Sequence, residues 1–241
     1  MSNEDTQISP GGSPILHHRE EKPFALASGE SCLEQIGAHI ERHLGSVAGV
    51  LHEIISDTVH LDVHVVPATD EVPYLRLVTS GMSDLPMAVP EGVGAPHFME
   101  LMLTLPPDWP ITQDDFQDER HYWPLRLLKT LARLPHKYDT WLGFGHTVPN
   151  GHPAEPYAPG IGFDGAIVLP PVSTPEAFGE LVVDADKTIV FMTLVPLYPE
   201  EMALKLKKGA EALMDRFDAK GLQDVIDPAR PNVARKRFGL F

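Results

Sequence analysis

The sequence predicts an α+β domain, a mixed and mainly antiparallel β-sheet arrangement with flanking helices. Three observations carry that expectation. Runs with two-residue apolar alternation and runs with three-to-four-residue spacing both occur, and they follow one another without regular β-α alternation. At 241 residues and 43% hydrophobic, the chain can bury one large core without disulfides or structural metal. Its 24 prolines stand at about twice the ordinary ~5%, so many connections must be turns, loops and strand edges.

Taken in order, residues 1–23 are polar, carry Pro10-Gly-Gly-Ser-Pro14, and are expected to form a disordered tail. The folded domain is expected over 24–229, followed by a locally basic tail over 230–241. Ser31 opens the first helix as its N-cap, with Glu34 placed for a capping box. Leu33, Ile36, Ile40, Leu44 and Val47 form its apolar stripe, and Gly45 or Gly49 ends it. From Val59 to Val65 apolar residues alternate with His60, Asp62 and His64, which is a strand with one polar face. Tyr74–Thr79 and His97–Leu105 are the next two strands, joined by a long Gly/Pro loop over 80–94.

A short acidic helix is expected over 114–119. Pro124 suits the first position of the next helix, whose Leu127, Leu128, Leu131 and Leu134 run until Pro135 stops it. Trp141–Gly151 concentrates Gly, Pro and Asn around a Trp and a His, the composition of a fixed, irregular loop. Strands over Phe163–Leu169 and Thr188–Val195 follow. One long helix then starts at Pro199, with Glu200 and Glu201 in its first turn, and ends at Gly221.

Formal charge is 19 minus 34, or −15, which disfavours nucleic-acid backbones and anionic membranes as partners. A single cysteine, Cys32, leaves no internal disulfide and suits a reducing compartment. The N-terminus lacks the charged and apolar regions of a signal peptide, and no apolar run reaches membrane-spanning length. The chain therefore reads as cytoplasmic.

Motifs that could carry chemistry are few. Gly160-Ile-Gly-Phe-Asp-Gly165 matches a dinucleotide fingerprint but precedes a strand instead of opening a helix, so turn glycines explain it. His39 and His43 lie one helical turn apart, on the flank of a core stripe. His60, Asp62 and His64 share one strand face and are all ligand types, yet three in a row sit roughly 6.5–7 Å apart at their roots and chelate one ion awkwardly. His146 and His152 bracket Pro149-Asn150-Gly151 with no recognisable nucleophile beside them. No cofactor and no structural metal are expected. Met82, Met87, Phe144 and Tyr157, large apolar residues in Gly/Pro-rich loops, are the candidate partner-binding residues.

Four stretches together resemble the suppressor of fused family, in particular its bacterial single-domain members. They are Tyr74-Leu-Arg-Leu-Val-Thr-Ser-Gly-Met-Ser-Asp-Leu-Pro-Met87, Glu100-Leu-Met-Leu-Thr-Leu-Pro-Pro-Asp-Trp-Pro110, the Trp141–Gly151 loop with Phe163–Pro171, and Leu194-Val-Pro-Leu-Tyr-Pro-Glu-Glu-Met202 continuing to Val233. The resemblance implies a suppressor-of-fused-like domain that binds a protein and is not an enzyme. Bacterial members imply an immunity protein that neutralises a toxin, and the acidic charge suits a basic toxin domain. The rival expectation is a hydrolase using His146, or a metal-dependent enzyme using the His60, Asp62 and His64 face.

Overall fold

Alternating apolar residues give each central strand two usable faces. In the computed structural model, which describes residues 7–18, 21, 31–52 and 59–235, both faces are covered by helices. The strands are β1 (Gln7–Ile8), β2 (Pro14–Ile15), β3 (Gly49–Leu51), β4 (Asp62–Val66), β5 (Leu75–Ser80), β6 (Phe98–Leu105), β7 (Thr147–Pro149), β8 (Gly165–Leu169), β9 (Glu180–Val182) and β10 (Thr188–Leu197). The helices are α1 (Leu33–Leu44), α2 (Glu119–Tyr138), α3 (Pro199–Lys208) and α4 (Ala210–Asp218). The main sheet runs β3-β4-β5-β6-β10-β8-β7, with β9 also paired to β10. Of the described pairings in it, β6 with β10 is parallel and the others are antiparallel. The α+β expectation with mainly antiparallel pairing holds.

The period-two pattern sorts the core. Leu61, Val63, Leu77, Met99, Leu101 and Leu194 face α2, which buries Trp123, Leu127, Leu128 and Leu131 over them. On the opposite face Val66, Val78, Met102, Ile189 and Phe191 lie under Ile36, Ile40 and Leu44 of α1. Farther along that face, Ile167, Leu169, Val195 and Leu197 meet Leu213 and Phe217 of α4. β6 and β10 pair only as far as Met102 and Thr193, and beyond that point Val225 takes the place beside Thr104.

Several local expectations change. The α1 N-cap is Cys32 instead of Ser31, and it makes no side-chain cap bond. α2 starts at Glu119, because the Asp118 side chain accepts from the Arg120 N–H and so caps the helix earlier than Pro124 could. Pro124 and Pro135 both lie inside it. Each removes only one backbone donor, and both rings are buried, so the helix continues until Asp139 adopts a left-handed turn. The single long helix expected from Pro199 is two, since Gly209 at φ 90° redirects the chain between α3 and α4. Within the expected N-terminal tail, residues 7–8 and 14–15 pair as a hairpin, and the Gly11 N–H donates to the Leu206 carbonyl of α3. The rest of that tail, residues 1–6, 19–20 and 22–23, lies outside the described residues.

The expected C-terminal tail begins inside the fold. Arg230 is buried against Glu201, with its guanidinium donating at 2.8 Å to Oε1 and 2.6 Å to Oε2. It also donates to the Pro196 carbonyl at 2.7 Å and lies over the rings of Phe163, Tyr198 and Phe217. Glu201 in turn accepts from the backbone N–H groups of Tyr198 and Val233. Removing one member of such a pair strands a charge without water, which costs about 3–5 kcal/mol. Arg230→Ala should therefore lower unfolding free energy by that amount in denaturant titration, and a loss under ~1 kcal/mol would show that the pair is hydrated.

Candidate functional site

Two features of the sheet surface combine chemistry with access. The first is a corner at the β3–β4 edge. β3 and β4 pair Val50 with His64 and Leu51 with Val63, so the next residues in that register, His52 and Asp62, stand opposite each other. His60 lies two residues before Asp62 on the same chain side. The result is a triangle: His52 Nδ1 lies 2.8 Å and His60 Nε2 3.4 Å from Asp62 Oδ1. The Asp62 carboxyl is buried, while both imidazoles are mainly exposed. His64 does not join them. It is buried beneath α1, beside Gly37, and its Nε2 meets Ser80 Oγ at 2.9 Å. Burial, foremost, and the neighbouring His52 hold its pKa below the ordinary value, while Asp62 opposes them. The expected His60, Asp62 and His64 row is thus replaced by His52, His60 and Asp62.

The corner rests on a buried polar network. Glu100 is fully buried, and its Oε1 accepts from Gly81 N–H, Ser83 N–H and Ser83 Oγ, while Oε2 accepts from Thr79 Oγ1 at 2.6 Å. These bonds fold the turn after β5 back against His60. Gly81, at φ 105°, is held so close that an added Cβ would stand 1.9 Å from the His60 carbonyl oxygen. Asp84, in the same turn, has a buried Oδ1 without a hydrogen-bond partner, and burial is the main cause raising its pKa.

The second feature is an apolar groove of about 180 Å³ between α4 and the β8–β10 strands. Phe144, Leu169, Val172, Val195, Met214, Phe217 and Leu222 supply its apolar lining, with Asp224 at its polar end. Phe144 is 52% exposed and Val172 67%. Asp224 is buried, takes a bond from Ser173 Oγ on Oδ2, and keeps Oδ1 without a partner. Arg76, equally buried, donates to the Ser173 carbonyl at 2.6 Å. These groups fill the fork where β6 and β10 part. A wider polar cleft of about 1020 Å³ borders Tyr198, Arg230 and Asn232.

Of the four residues expected to touch a partner, the structure leaves only Phe144 on the surface. Met82, Met87 and Tyr157 are buried in the core under α2. Their loops return onto the sheet: the Met87 N–H donates to the His97 carbonyl, and the Tyr157 ring stacks 5.2 Å from Trp123. His146 packs 4.2 Å from the Trp141 ring, and burial is the first cause lowering its pKa, so it braces the loop. Val172 escaped notice because no motif surrounds it. His52 escaped because its role depends on cross-strand register, which no local pattern shows.

Comparison with known proteins decides the family. The model of the family Suppressor of fused protein (SUFU) matches residues 57–231. The chain belongs to the suppressor of fused family. Solved structures agree in fold. A protein described as a suppressor of fused homologue from Neisseria gonorrhoeae superposes with TM-score 0.61 at 16% identity, over 84% of this chain and 97% of that one. Sufu from a Sufu–Fu complex gives TM-score 0.56 at 13% identity, over 86% and 93%. Drosophila Suppressor of Fused gives 0.56 at 12%, over 84% of this chain and 50% of that longer one. Comparison with curated protein sequences gave no match.

In this suppressor of fused domain the Glu100 knot has a pH signature. Burial raises the Glu100 pKa from 4.5 to about 6, against the opposing bonds from Thr79 and Ser83. The folded state then holds a proton that the unfolded state has already released, so stability falls as pH rises between those two values and is level above them. The loss is about 2 kcal/mol at most, from ~1.36 kcal/mol per pKa unit. Glu100→Gln should remove this slope when melting temperature is followed from pH 4 to 7. Parallel profiles for both proteins would show Glu100 keeping an ordinary pKa.

Proposed function

We propose that this chain is a non-enzymatic, stoichiometric protein-binding module, and that its contact face is the groove between α4 and β8–β10. The observation that carries the reading is the pairing of exposed Phe144 and Val172 with an apolar slot lined by Leu169, Val195, Met214 and Phe217. Large apolar side chains around a slot are the usual anchors of a protein contact. Membership of the suppressor of fused family supports the reading, and one fold relative is a Sufu protein solved in complex with Fu. The finer reading is an immunity-type protein whose partner is a basic toxin domain. A net charge of −15 would attract such a domain over long range. Asp118 contributes little to that field, because Arg120 neutralises it and holds its pKa down to about 2.

The test is binding kinetics with candidate toxin domains taken from the neighbouring reading frames. A 1:1 complex that abolishes toxin activity is expected, with association slowed by salt. Phe144→Ala and Val172→Ala should each raise the dissociation rate about tenfold, as for an anchor worth ~1.4 kcal/mol, with unchanged melting temperature. Met82→Ala and Tyr157→Ala should act on stability instead, since both side chains are core. Wild-type dissociation in both groove variants would move the contact face elsewhere. Failure of the intact protein to bind or inhibit the toxin would remove the immunity reading.

A further inference from the structure

We infer that the β3–β4 corner is a binding site for a divalent cation of the zinc class, held by His52 Nδ1, His60 Nε2 and Asp62 Oδ1. Two neutral imidazoles and one carboxylate suit zinc, whose bonds to such donors are about 2.0–2.2 Å long. A tetrahedral ion of that size places its donors about 3.3 Å apart. Here the two nitrogens stand 2.8 and 3.4 Å from the shared carboxylate oxygen, and the three side chains bring ligand atoms within 4.8 Å of one another. Small rotations of two exposed rings bring the set to coordination distance, with no backbone change.

Three further observations set this corner apart from a chance meeting of surface histidines. The carboxylate is the buried member, at 6% side-chain exposure against 65% and 61% for the histidines, so a charge kept from water converges with two nitrogens at the sheet edge. A buried carboxylate needs a cationic or hydrogen-bonding partner, and a divalent ion supplies it most strongly. The backbone beneath is fixed: cross-strand register sets His52 against Asp62, and Gly81, anchored to Glu100, wedges against the His60 carbonyl. Ligands on a fixed scaffold lose less freedom on binding a metal. Beside them, Asp84 offers a buried oxygen with no hydrogen-bond partner, close enough for its carboxyl to feel His60 and Asp62.

With three protein ligands, the fourth position points to solvent between the exposed imidazoles and takes water. The three ligand residues stand outside the apolar cores under α1 and α2, so the ion adds to a fold whose packing does not run through it. Binding should therefore raise the melting temperature only through mass action on the folded state.

The experiment uses the full chain, stripped with chelator and titrated with Co²⁺, then with Zn²⁺ in competition. One Co²⁺ per chain is expected, with the visible absorption of a low-coordinate site that Zn²⁺ displaces. His52→Ala and His60→Ala are the deciding variants, because both side chains are exposed and their loss leaves the core untouched. Each should weaken binding about 100-fold or more, beyond the 10–100-fold typical of losing an outer-shell partner. His43→Ala, which alters the helical His39–His43 pair with rings 4.6 Å apart, should leave binding unchanged. Absence of a stoichiometric site in the wild type would overturn the assignment, leaving one hydrogen bond between His52 and Asp62 and a 3.4 Å contact from His60. So would wild-type affinity in the His52 and His60 variants, which would place the ion elsewhere in the chain.

Discussion

The buried ion pair of Arg230 and Glu201 is the constraint on which the second half of the fold depends. Charges removed from water require a complete set of partners, and incomplete sets are strongly destabilising. Here the set is supplied by three separate pieces of chain, residue 163, residues 196–201 and residue 217. Glu201 comes from the first turn of α3 and closes the capping box with Tyr198. The Pro196 carbonyl comes from the end of β10, and the rings of Phe163, Tyr198 and Phe217 come from before β8, before α3 and from α4. Because one planar guanidinium must satisfy them together, the angle at which α3 leaves β10 and the path of residues 228–233 are set jointly. That geometry places α4 over Ile167 and Val195, and so creates the groove beside it.

Much of the fold was legible because its signals are local. Alternation located β4, β5, β6, β8 and β10 to within a few residues, and helical spacing located α1 and the Leu stripe of α2. What escaped was decided by distance in sequence. The three-residue strands β3, β7 and β9 are edge or flanking strands whose pairing partners define them, and they carry no alternation of their own. Arg230 reads locally as the start of a basic tail, and only Glu201, 29 residues earlier, makes it core. Gly209 lies in a Lys-Lys-Gly-Ala run that helical propensity alone does not break, and a positive φ does.

The site was less legible, for a related reason. His60 and Asp62 were visible as strand-face ligand types, but the third vertex lies across the ladder, at His52. A row of three along one strand spans two steps of about 6.5–7 Å, whereas one step plus a cross-strand neighbour at about 5 Å closes a triangle. The groove was half legible. Phe144 stands out as an aromatic in a Gly-rich turn, yet Met82, Met87 and Tyr157 share that local context and are buried. Loop composition cannot separate a side chain that points outward from one that returns to the sheet, since Gly and Pro permit both.

The two resembling stretches that meet at Glu100 and the one that runs from Tyr198 to Arg230 build two buried polar knots among the described residues. Each knot stabilises a surface feature near it: Glu100 holds the turn under His60, and Arg230 holds the chain that positions α4. The corner and the groove lie on the same sheet face, with β4 and β8 separated by four strand spacings, or about 19 Å. Between them stand α1 and its apolar contacts with Val66, Val78 and Met102. The two features share no residue, and close-packed sheet separates them. A partner seated in the groove would meet a metal at the corner only by reaching across that face, over α1.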